Sequence, residues 1–329
     1  MQRFLRLASP ALLAALLVSC AGLGTRTSSL RSQKLLSLGY QPLELTKSSG
    51  DTRYSGRFQV NGEPVVFLID SGANSTDLDA SVAQRIGVRA DHTVKVISRG
   101  ALGRPVTSRV GLGTLRAGSM RPIPFPFMLA PSSRGHTATS RYDGQIGLDA
   151  LSGLAAVVDF QQGCLWIPGP RAPNNLNGNI SPLGPRPGLG FDALPLDPAG
   201  PLPHLVVESY HNGHRLSWVV DTGAEVTVLA AESVPRLGLQ TSPSRSKIID
   251  ASGDRAPIRV ASLEHVVFGR LIVNPLEVAV TSLAAIRRTF RDRHGHPVDG
   301  IIGMDFLERS SALLDTASRV LYVGEPFHR

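Results

Sequence analysis

Residues 65–73 read Val-Val-Phe-Leu-Ile-Asp-Ser-Gly-Ala, and residues 216–224 repeat this design as Leu-Ser-Trp-Val-Val-Asp-Thr-Gly-Ala. In both copies an apolar run leads into an Asp-Ser/Thr-Gly tripeptide, and the two aspartates, Asp70 and Asp221, lie 151 positions apart. The same interval relates three further matches: Leu38-Gly39-Tyr40 with Leu189-Gly190-Phe191, Asn61-Gly62 with Asn212-Gly213, and Ile86-Gly87-Val88 with Leu237-Gly238-Leu239. One long period predicts a duplicated domain rather than a solenoid of short repeats.

A second motif supports the duplication and indicates the domain limits. Residues 143–151 (Asp-Gly-Gln-Ile-Gly-Leu-Asp-Ala-Leu) match residues 299–307 (Asp-Gly-Ile-Ile-Gly-Met-Asp-Phe-Leu). Between the copies, residues 168–187 are dense in Pro, Gly and Asn, a composition that is typical of a semi-extended linker. We therefore predict an N-terminal half over residues 38–167 and a C-terminal half over residues 188–329, joined by this linker.

The composition favours an all-β fold. At 329 residues the chain can hold two domains of ordinary size, each with its own core. Its 33 Gly and 24 Pro separate short apolar runs, which is typical of strands joined by turns. The proline-rich segment 121–131 and the polar segment 132–142 are instead predicted to form a surface excursion. Only two cysteines occur, so no disulfide framework is expected to support the fold.

Charge and histidine spacing argue against two other classes of protein. The net charge of +8 comes mostly from scattered arginines, without the basic stripe and interleaved aromatics of a nucleic-acid groove. We therefore expect no nucleic-acid partner. The candidate metal ligands show no HExxH or comparable spacing, so neither a metal nor a cofactor is predicted. These candidates are His204, His211, His214, His294 and His296.

The N-terminus predicts export. Arg3 and Arg6 form a basic segment, and residues 8–18 are almost entirely apolar but shorter than the ~20 residues of a membrane-spanning helix. The run ends in Leu-Val-Ser before Cys20, which resembles a bacterial lipobox. The resemblance implies a signal peptide over residues 1–20, cut before Cys20, with acylation of that cysteine. An ordinary signal peptide cut near Ala21 is the alternative.

The residues after Cys20 refine the expected location. Ala21 stands where retention in the inner membrane would usually call for Asp, so the resemblance implies a lipid anchor in the outer membrane, facing the periplasm. Residues 21–37 are polar and rich in Ser and Arg, and we predict that they form a tether.

A pair of Asp-Ser/Thr-Gly turns can perform chemistry that a single turn cannot. A pseudo-two-fold axis between the halves can bring Asp70 and Asp221 together. Two carboxylates within about 3 Å of each other cannot both ionise, so one of them keeps its proton. The ionised carboxylate can then act as general base on a water molecule while the protonated one acts as general acid. This arrangement suits the direct attack of water on an amide carbonyl.

Each tripeptide also carries two groups that can support the pair. Gly72 and Gly223 let the turns approach without an intervening side chain. The hydroxyls of Ser71 and Thr222 can tie the two turns together by hydrogen bonds and so determine the spacing of the carboxylates.

With these motifs the sequence resembles the aspartic peptidases, and their retropepsin-like branch more closely than pepsin. The resemblance rests on the two Asp-Ser/Thr-Gly-Ala turns and on the apolar-apolar-Gly elements 145–147 and 301–303, and it covers nearly all of both halves. It implies two tandem closed β-barrels related by pseudo-two-fold symmetry, with Asp70 and Asp221 as the catalytic dyad in the cleft between them. Because this chain carries both halves, we expect a monomer.

The resemblance also implies flaps over the cleft and a deviation from pepsin. Candidate flap tips are residues 99–103 and 251–254, and the residues assigned to substrate binding are Arg99, Gly100, Ala101, Ser252 and Gly253. Neither tip contains the tyrosine of pepsin-like flaps. Each tripeptide is followed by alanine, where pepsin-like enzymes have Ser or Thr, so the carboxylates receive fewer hydrogen bonds. We therefore expect a pH optimum nearer neutral than that of pepsin.

Two functions remain open from the sequence. One is an aspartic endopeptidase that acts in the periplasm on an extended, largely apolar polypeptide bound as an added strand. The other is a non-catalytic module that binds peptides or lipoproteins on the same duplicated scaffold. The remaining repeated carboxylates are predicted to cap turns rather than to catalyse; they are Asp143, Asp149, Asp299 and Asp305.

Overall fold

The computed structural model describes residues 30–130, 142–170, 172, 183–184, 191–199 and 204–324. The N-terminal half contains α1 (Leu30–Ser37), β1 (Tyr40–Thr46), β2 (Ser55–Val60), β3 (Glu63–Ile69), β4 (Asp77–Asp79), α2 (Ala80–Arg85), β5 (Arg89–Arg99), β6 (Pro105–Arg116), β7 (Ile123–Ala130), β8 (Gly144–Ile146), α3 (Leu148–Gly153), β9 (Val157–Asp159) and β10 (Cys164–Pro168). The C-terminal half contains β11 (Phe191–Pro195), β12 (Asp197–Ala199), β13 (His204–His211), β14 (His214–Val220), β15 (Val228–Ala230), α4 (Val234–Leu237), β16 (Ser242–Ile249), β17 (Arg255–Leu263), β18 (Val266–Phe268), β19 (Leu271–Val273), β20 (Leu276–Thr281), α5 (Ala284–Thr289), β21 (Gly300–Ile302), α6 (Met304–Arg309), β22 (Leu313–Asp315) and β23 (Val320–Gly324). Strands dominate both halves, which confirms the all-β prediction.

The two halves repeat one strand order. Neighbouring strands run β2-β3-β8-β4-β7-β6-β5 in the first half and β13-β14-β21-β15-β20-β17-β16 in the second. In each half the strand before the Asp-Ser/Thr-Gly turn pairs in parallel with the strand of the second motif, Ile69 with Ile146 and Val220 with Ile302. A further pairing between β2 and β6 closes six strands of the N-terminal half into a barrel. The predicted tandem duplication is thereby confirmed.

A six-stranded sheet joins the halves, with the strand order β11-β23-β22-β9-β10-β1. At its centre the equivalent strands β9 and β22 pair antiparallel, with Val158 opposite Leu314. Equivalent elements can pair with each other in this way only on the pseudo-two-fold axis. The axis therefore passes between β9 and β22.

The apolar runs before the two turns lie inside the core. Phe67, Ile69, Trp218 and Val220 are fully buried and belong to one hydrophobic cluster that extends through both halves. Strands covered on both faces have continuous apolar runs instead of alternating ones. This explains why the repeated stretch has no polar residue between its first valine and Asp70.

The prediction of a tether over residues 21–37 is wrong for its second part, because Leu30–Ser37 forms the helix α1. Leu35 is completely buried in a cluster beside the joining sheet, and buried Arg31 lies 3.7 Å from Asp159 of β9. The composition of the segment is polar partly because one of its buried side chains, Arg31, is paired with an aspartate distant in the chain. Residues 1–29, with the lipobox and Cys20, lie outside the described residues.

The prediction of a surface excursion over residues 121–131 is also wrong. Residues 123–130 form β7, in which Phe127 is fully buried. The prolines are accommodated because Pro124 and Pro126 lie where β7 pairs only with β6, whereas pairing with β4 begins at Met128. A proline costs little where no second neighbouring strand needs its missing N–H.

Only a short part of the predicted linker is described, and that part is packed. Leu183 is fully buried, and the hydroxyl of Tyr322 donates a hydrogen bond to the carbonyl of Gly184 (2.7 Å). Residues 183–184 are therefore held against the joining sheet. No helix among the described residues combines the length and the apolar character needed to cross a bilayer.

Candidate active site

Asp70 and Asp221 stand at the ends of β3 and β14, in equivalent surroundings. The backbone N–H of Asp70 donates to the carbonyl of Ile146 (3.1 Å), and that of Asp221 donates to the carbonyl of Ile302 (3.0 Å). The second motif of each half therefore holds the backbone of the aspartate supplied by the first. This contact explains why the two motifs recur together in the sequence.

Four hydrogen bonds lock the two turns to each other. The N–H of Ser71 donates to the hydroxyl of Thr222 (2.9 Å), and the N–H of Thr222 donates to the hydroxyl of Ser71 (3.0 Å). Each hydroxyl in turn donates across the axis, from Ser71 to the carbonyl of Val220 and from Thr222 to the carbonyl of Ile69, both at 2.8 Å. The predicted tie between the turns is thus present, and the donated and accepted bonds are symmetric.

The two carboxylates face each other over the glycines of the turns. A Cβ atom on Gly72 would lie 2.3 Å from Cγ of Asp221, and one on Gly223 would lie 2.6 Å from Cγ of Asp70. Real Cβ atoms do not approach other atoms so closely, so only glycine fits at either position. The structure therefore brings together all six residues predicted for the dyad and its support.

Burial and proximity change the acidity of both aspartates. Oδ1 of Asp70 accepts the N–H groups of Gly72 (2.9 Å) and Ala73 (3.1 Å), and Oδ1 of Asp221 accepts the N–H of Gly223 (2.8 Å). These bonds favour ionisation, but burial and then the negative charge of Asp221 raise the pKa of Asp70 to about 8. Burial raises the pKa of Asp221 as well. The pair therefore shares one proton near neutral pH and titrates as a unit.

One further hydroxyl in each half supports the turn, and neither was predicted from the sequence. The hydroxyl of Thr76 donates to Asp149 (2.7 Å), and that of Thr227 donates to Asp305 (2.7 Å). The same hydroxyls accept the N–H groups of Gly147 and Gly303. Asp143 and Asp299 accept strand N–H groups, from Val66 and Ser217. The structural role predicted for these four carboxylates is confirmed.

The two candidate flap tips contact each other. Oδ2 of Asp250 accepts the N–H of Leu102 from the other hairpin (2.9 Å), and its Oδ1 accepts N–H groups within its own turn. Arg104 and Asp254 form an exposed ion pair between the tips at 3.3 Å. Because equivalent hairpins meet, their contact lies on the pseudo-two-fold axis, as does the contact between the two Asp-Ser/Thr-Gly turns.

The contacts between the tips involve only some of the predicted residues. Gly100 lies against Asp250 and Ser252, so closely that a Cβ atom would be 2.2 Å from Oδ2 of Asp250. Arg99 donates to the carbonyl of Gly103 within its own hairpin. The main contact between the tips, Asp250, was not among the predicted residues because Asp before a Gly-containing turn is common in any hairpin.

A groove of about 710 Å³ begins at the N-terminal tip and runs along the C-terminal half. Its walls come from Leu102, from the start of β17 and from the segment between β20 and α5. Neither Asp70 nor Asp221 lines it. The groove is therefore distinct from the pair of aspartates.

Two charged or titratable side chains next to the dyad were not assigned to it from the sequence. Nη1 of Arg53 donates to the carbonyl of Gly223 (3.5 Å), and Nε2 of His204 lies 2.9 Å from the carbonyl of Gly72. His204 had been considered only as a metal ligand. Within the described residues, no three His, Cys, Asp or Glu side chains are arranged to hold a metal ion.

Comparison with models of known protein families agrees with this geometry. A family model described as aspartyl protease matches residues 57–150 and 207–306, which is more than half of the chain. The chain therefore belongs to the aspartyl protease family, in its retropepsin-like branch. Among solved structures it is similar to basic 7S globulin from soybean, with a TM-score of 0.47 and 13% identity over 87% of this chain and 94% of that one. No curated protein sequence matches the chain.

Proposed function

We propose that this protein is an aspartic endopeptidase. The observation that carries the proposal is the paired turn: two carboxylates held face to face over two glycines, with four hydrogen bonds across the axis. A structural turn needs neither such close approach nor a shared proton. A pair of aspartates with raised pKa values is what acid-base hydrolysis without a covalent intermediate requires.

The proposed reaction uses both protonation states of the dyad. The ionised carboxylate accepts a proton from a water molecule, whose oxygen attacks the amide carbonyl carbon. The protonated carboxyl gives its proton to the carbonyl oxygen, which yields a tetrahedral diol. The amide nitrogen then takes a proton from the dyad, and one hydroxyl of the diol returns its proton to the dyad. The C–N bond breaks to give a carboxylic acid and an amine, so that one shared proton remains on the pair.

The proposed substrate is an extended, largely apolar polypeptide that binds between the turns and the flap tips. Extended peptides bind such clefts by strand-like backbone hydrogen bonds. Two contacts hold the flap tips together. They are the hydrogen bond between Leu102 and Asp250 and the ion pair between Arg104 and Asp254. We therefore propose that these polar contacts separate when substrate enters.

The proposed pH optimum lies nearer neutral than that of pepsin. Alanine after each tripeptide leaves the carboxylates without an additional hydroxyl donor, and the pKa of Asp70 is raised to about 8. A dyad that keeps one proton up to neutral pH can work there. A rate profile that peaks below about pH 3 would contradict this proposal.

We also propose that the enzyme acts as a monomer anchored by a lipid on Cys20, in the outer membrane facing the periplasm. The lipobox-like sequence and Ala21 support this location. Incorporation of labelled palmitate in a bacterial host, lost in Cys20→Ser, is the expected result. Release of unlabelled wild-type protein into the periplasm would instead support an ordinary signal peptide.

Cleavage of an unfolded protein such as denatured casein tests the central proposal. Asp70→Asn and Asp221→Asn should each lose at least about a hundredfold in kcat/KM, because either change removes one of the two acid-base groups. Asp91→Asn, the same chemical change at an exposed aspartate of β5, is the matched control and should keep full activity. If either dyad variant retains wild-type activity, the proposal is wrong. If wild type binds the peptide but never cleaves it, the protein is a binding module.

A further inference from the structure

The two halves place different residues at one equivalent position beside the dyad. Arg53 and His204 are related by the same 151-residue interval as Asp70 and Asp221. Each side chain reaches across the axis to the glycine carbonyl of the opposite turn, Arg53 to Gly223 at 3.5 Å and His204 to Gly72 at 2.9 Å. Both are buried, with 9% and 5% exposure. The contact is thus symmetric in geometry but not in charge.

On the first side the guanidinium is held so that one edge faces the dyad. Asp51 accepts from Nε (2.9 Å) and Nη2 (2.8 Å) of Arg53, and the hydroxyl of Tyr142 donates to the same carboxylate (2.9 Å). Glu225, about half exposed, lies 3.7 Å from Nη2. Both acidic partners therefore contact Nε or Nη2, and Nη1 is the edge turned towards the carbonyl of Gly223. The positive end of this buried ion pair points at the turn that carries Asp221.

On the second side the equivalent group is neutral. Because Nε2 of His204 faces a carbonyl oxygen, it must carry the hydrogen, which leaves Nδ1 without a proton. Nδ1 is buried without a hydrogen-bond partner in the described part of the chain, and the ring packs on Phe290 with 4.0 Å between centroids. Burial lowers the pKa of His204 to about 4. No ion pair contacts this ring within the described residues.

We propose that Arg53 and His204 are positioning residues that place the shared proton of the dyad on Asp70 and the negative charge on Asp221. An arginine cation beside one carboxylate favours ionisation there, and a neutral imidazole offers no such compensation to the other. Burial raises the pKa of Asp221, and the charge of Arg53 is one of the contacts that offset this rise. Burial and then the charge of Asp221 raise the pKa of Asp70. This inference rests on the proposed function for its catalytic meaning, but the proton distribution exists whether or not the protein cleaves peptides.

The asymmetry assigns a role to each aspartate in the first step. Asp221 takes the proton from water as the O–H bond breaks and the new C–O bond forms. Asp70 gives its proton to the carbonyl oxygen. A symmetric dyad would divide these roles equally between the two halves.

Carbon-13 NMR of the aspartate carboxyls in the purified full chain in detergent measures the distribution directly. The two signals are assigned by their loss in Asp70→Asn and Asp221→Asn. On raising the pH, we expect Asp221 to show the larger shift in the first ionisation and Asp70 in the second. The exchanged variant Arg53→His, His204→Arg should reverse this order. An unchanged order in the exchanged variant would overturn the proposal.

A second variant tests the proposal if the exchanged variant does not fold. Arg53→Gln leaves Asp51 buried without its partner, so Asp51→Asn is combined with Arg53→Gln to remove both charges together. This double variant should raise the first ionisation of the dyad by about one pH unit and bring the two steps closer together. The single variant Arg53→Lys keeps the positive charge, so its two aspartates should ionise in the same order as in wild type. If the double variant titrates as wild type does, Arg53 has only a structural role.

Kinetics give an independent readout where cleavage is observed. In the charge-free double variant the acidic limb of the kcat/KM profile should move upward in pH, and Arg53→Lys should return it. A uniform loss of kcat at every pH, without a shift of the limb, would contradict the positioning role. Absence of cleavage in wild type at any pH would refute the proposed function alone, since the NMR titration does not depend on activity.

Discussion

The two Asp-Ser/Thr-Gly turns are symmetric, whereas the groups around them are not. The turns exchange the same four hydrogen bonds in both directions, at 2.8–3.0 Å. Next to the turns, Arg53 in the N-terminal half occupies the position that His204 occupies in the C-terminal half. In the flap tips, Asp250 accepts a hydrogen bond across the axis, whereas the equivalent Arg99 donates one within its own hairpin. Symmetry is kept where two carboxylates must be placed side by side. It is absent at Arg53 and His204, which we propose distinguish one carboxylate from the other, and at the flap tips.

The largest effect is expected from adding a methyl group between the carboxylates. In Gly72→Ala the new Cβ would overlap the Asp221 carboxylate, so the dyad must separate. A displacement of about 1 Å can reduce activity by about a hundredfold, and we expect at least that loss in kcat/KM. Gly223→Ala should act equally, because the approach is equally close from the other side.

Gly253→Ala provides the comparison at a tip, since no atom lies within 4 Å of its added Cβ. The positive φ of 84° at this position makes the alanine variant somewhat strained, but the substitution does not touch the dyad. Activity of Gly72→Ala close to that of Gly253→Ala would show that the carboxylates are not held together as described.

The raised pKa of Asp70 should appear in the pH dependence of stability. In the unfolded chain Asp70 loses its proton near pH 4, but in the folded chain it keeps it up to about pH 8. Between these values the folded state binds more protons, so the free energy of unfolding should fall as pH rises, by up to about 1.4 kcal/mol per pH unit. Urea midpoints from pH 4 to pH 8 measure this fall.

Asp70→Asn removes the titrating group and should flatten the dependence. The variant should match wild type near pH 4 and be the more stable protein near pH 8. Parallel curves for the two proteins would mean that Asp70 ionises normally.

The hydroxyls that tie the turns together should contribute similar amounts to the free energy of unfolding in the two halves. Ser71→Ala and Thr222→Ala each remove one donor and one acceptor from a buried contact, and each should lower the free energy of unfolding by about 1–3 kcal/mol. Thr222→Ser keeps the hydroxyl and serves as the control. A large difference between the two alanine variants would show that the turns are less symmetric in energy than in geometry.

The smallest effect is expected at the flap tips. Asp250→Ala removes the acceptor for the N–H of Leu102 and should change KM by a few fold while leaving the pH profile in place. Arg99→Ala, at the equivalent position of the other hairpin, should have less effect because Arg99 bonds only its own turn. If Arg99→Ala has the larger effect, the tips do not close through Asp250.

Much of the fold could be predicted because the chain contains two copies of it. The apolar run before each aspartate and the glycines of the turns are local in sequence, and the 151-residue interval shows that they recur. Helix α1 could not be predicted in the same way, since its Arg31 is buried through Asp159 and its Leu35 through the joining sheet. Strand β7 was missed because it contains Pro124 and Pro126, which are tolerated where the strand needs hydrogen bonds on one side only.

The sequence by itself determined the class of fold, the dyad and its supporting residues, because each depends on a short motif whose repetition excludes chance. Only the tertiary structure decided what surrounds the dyad. Arg53 and His204 lie 17 positions before their own aspartates yet act on the opposite turn, and Asp250 bonds a hairpin that lies far away in the chain. A pseudo-two-fold axis joins residues across the two halves, so the electrostatics at that axis depend on pairs that no local pattern contains.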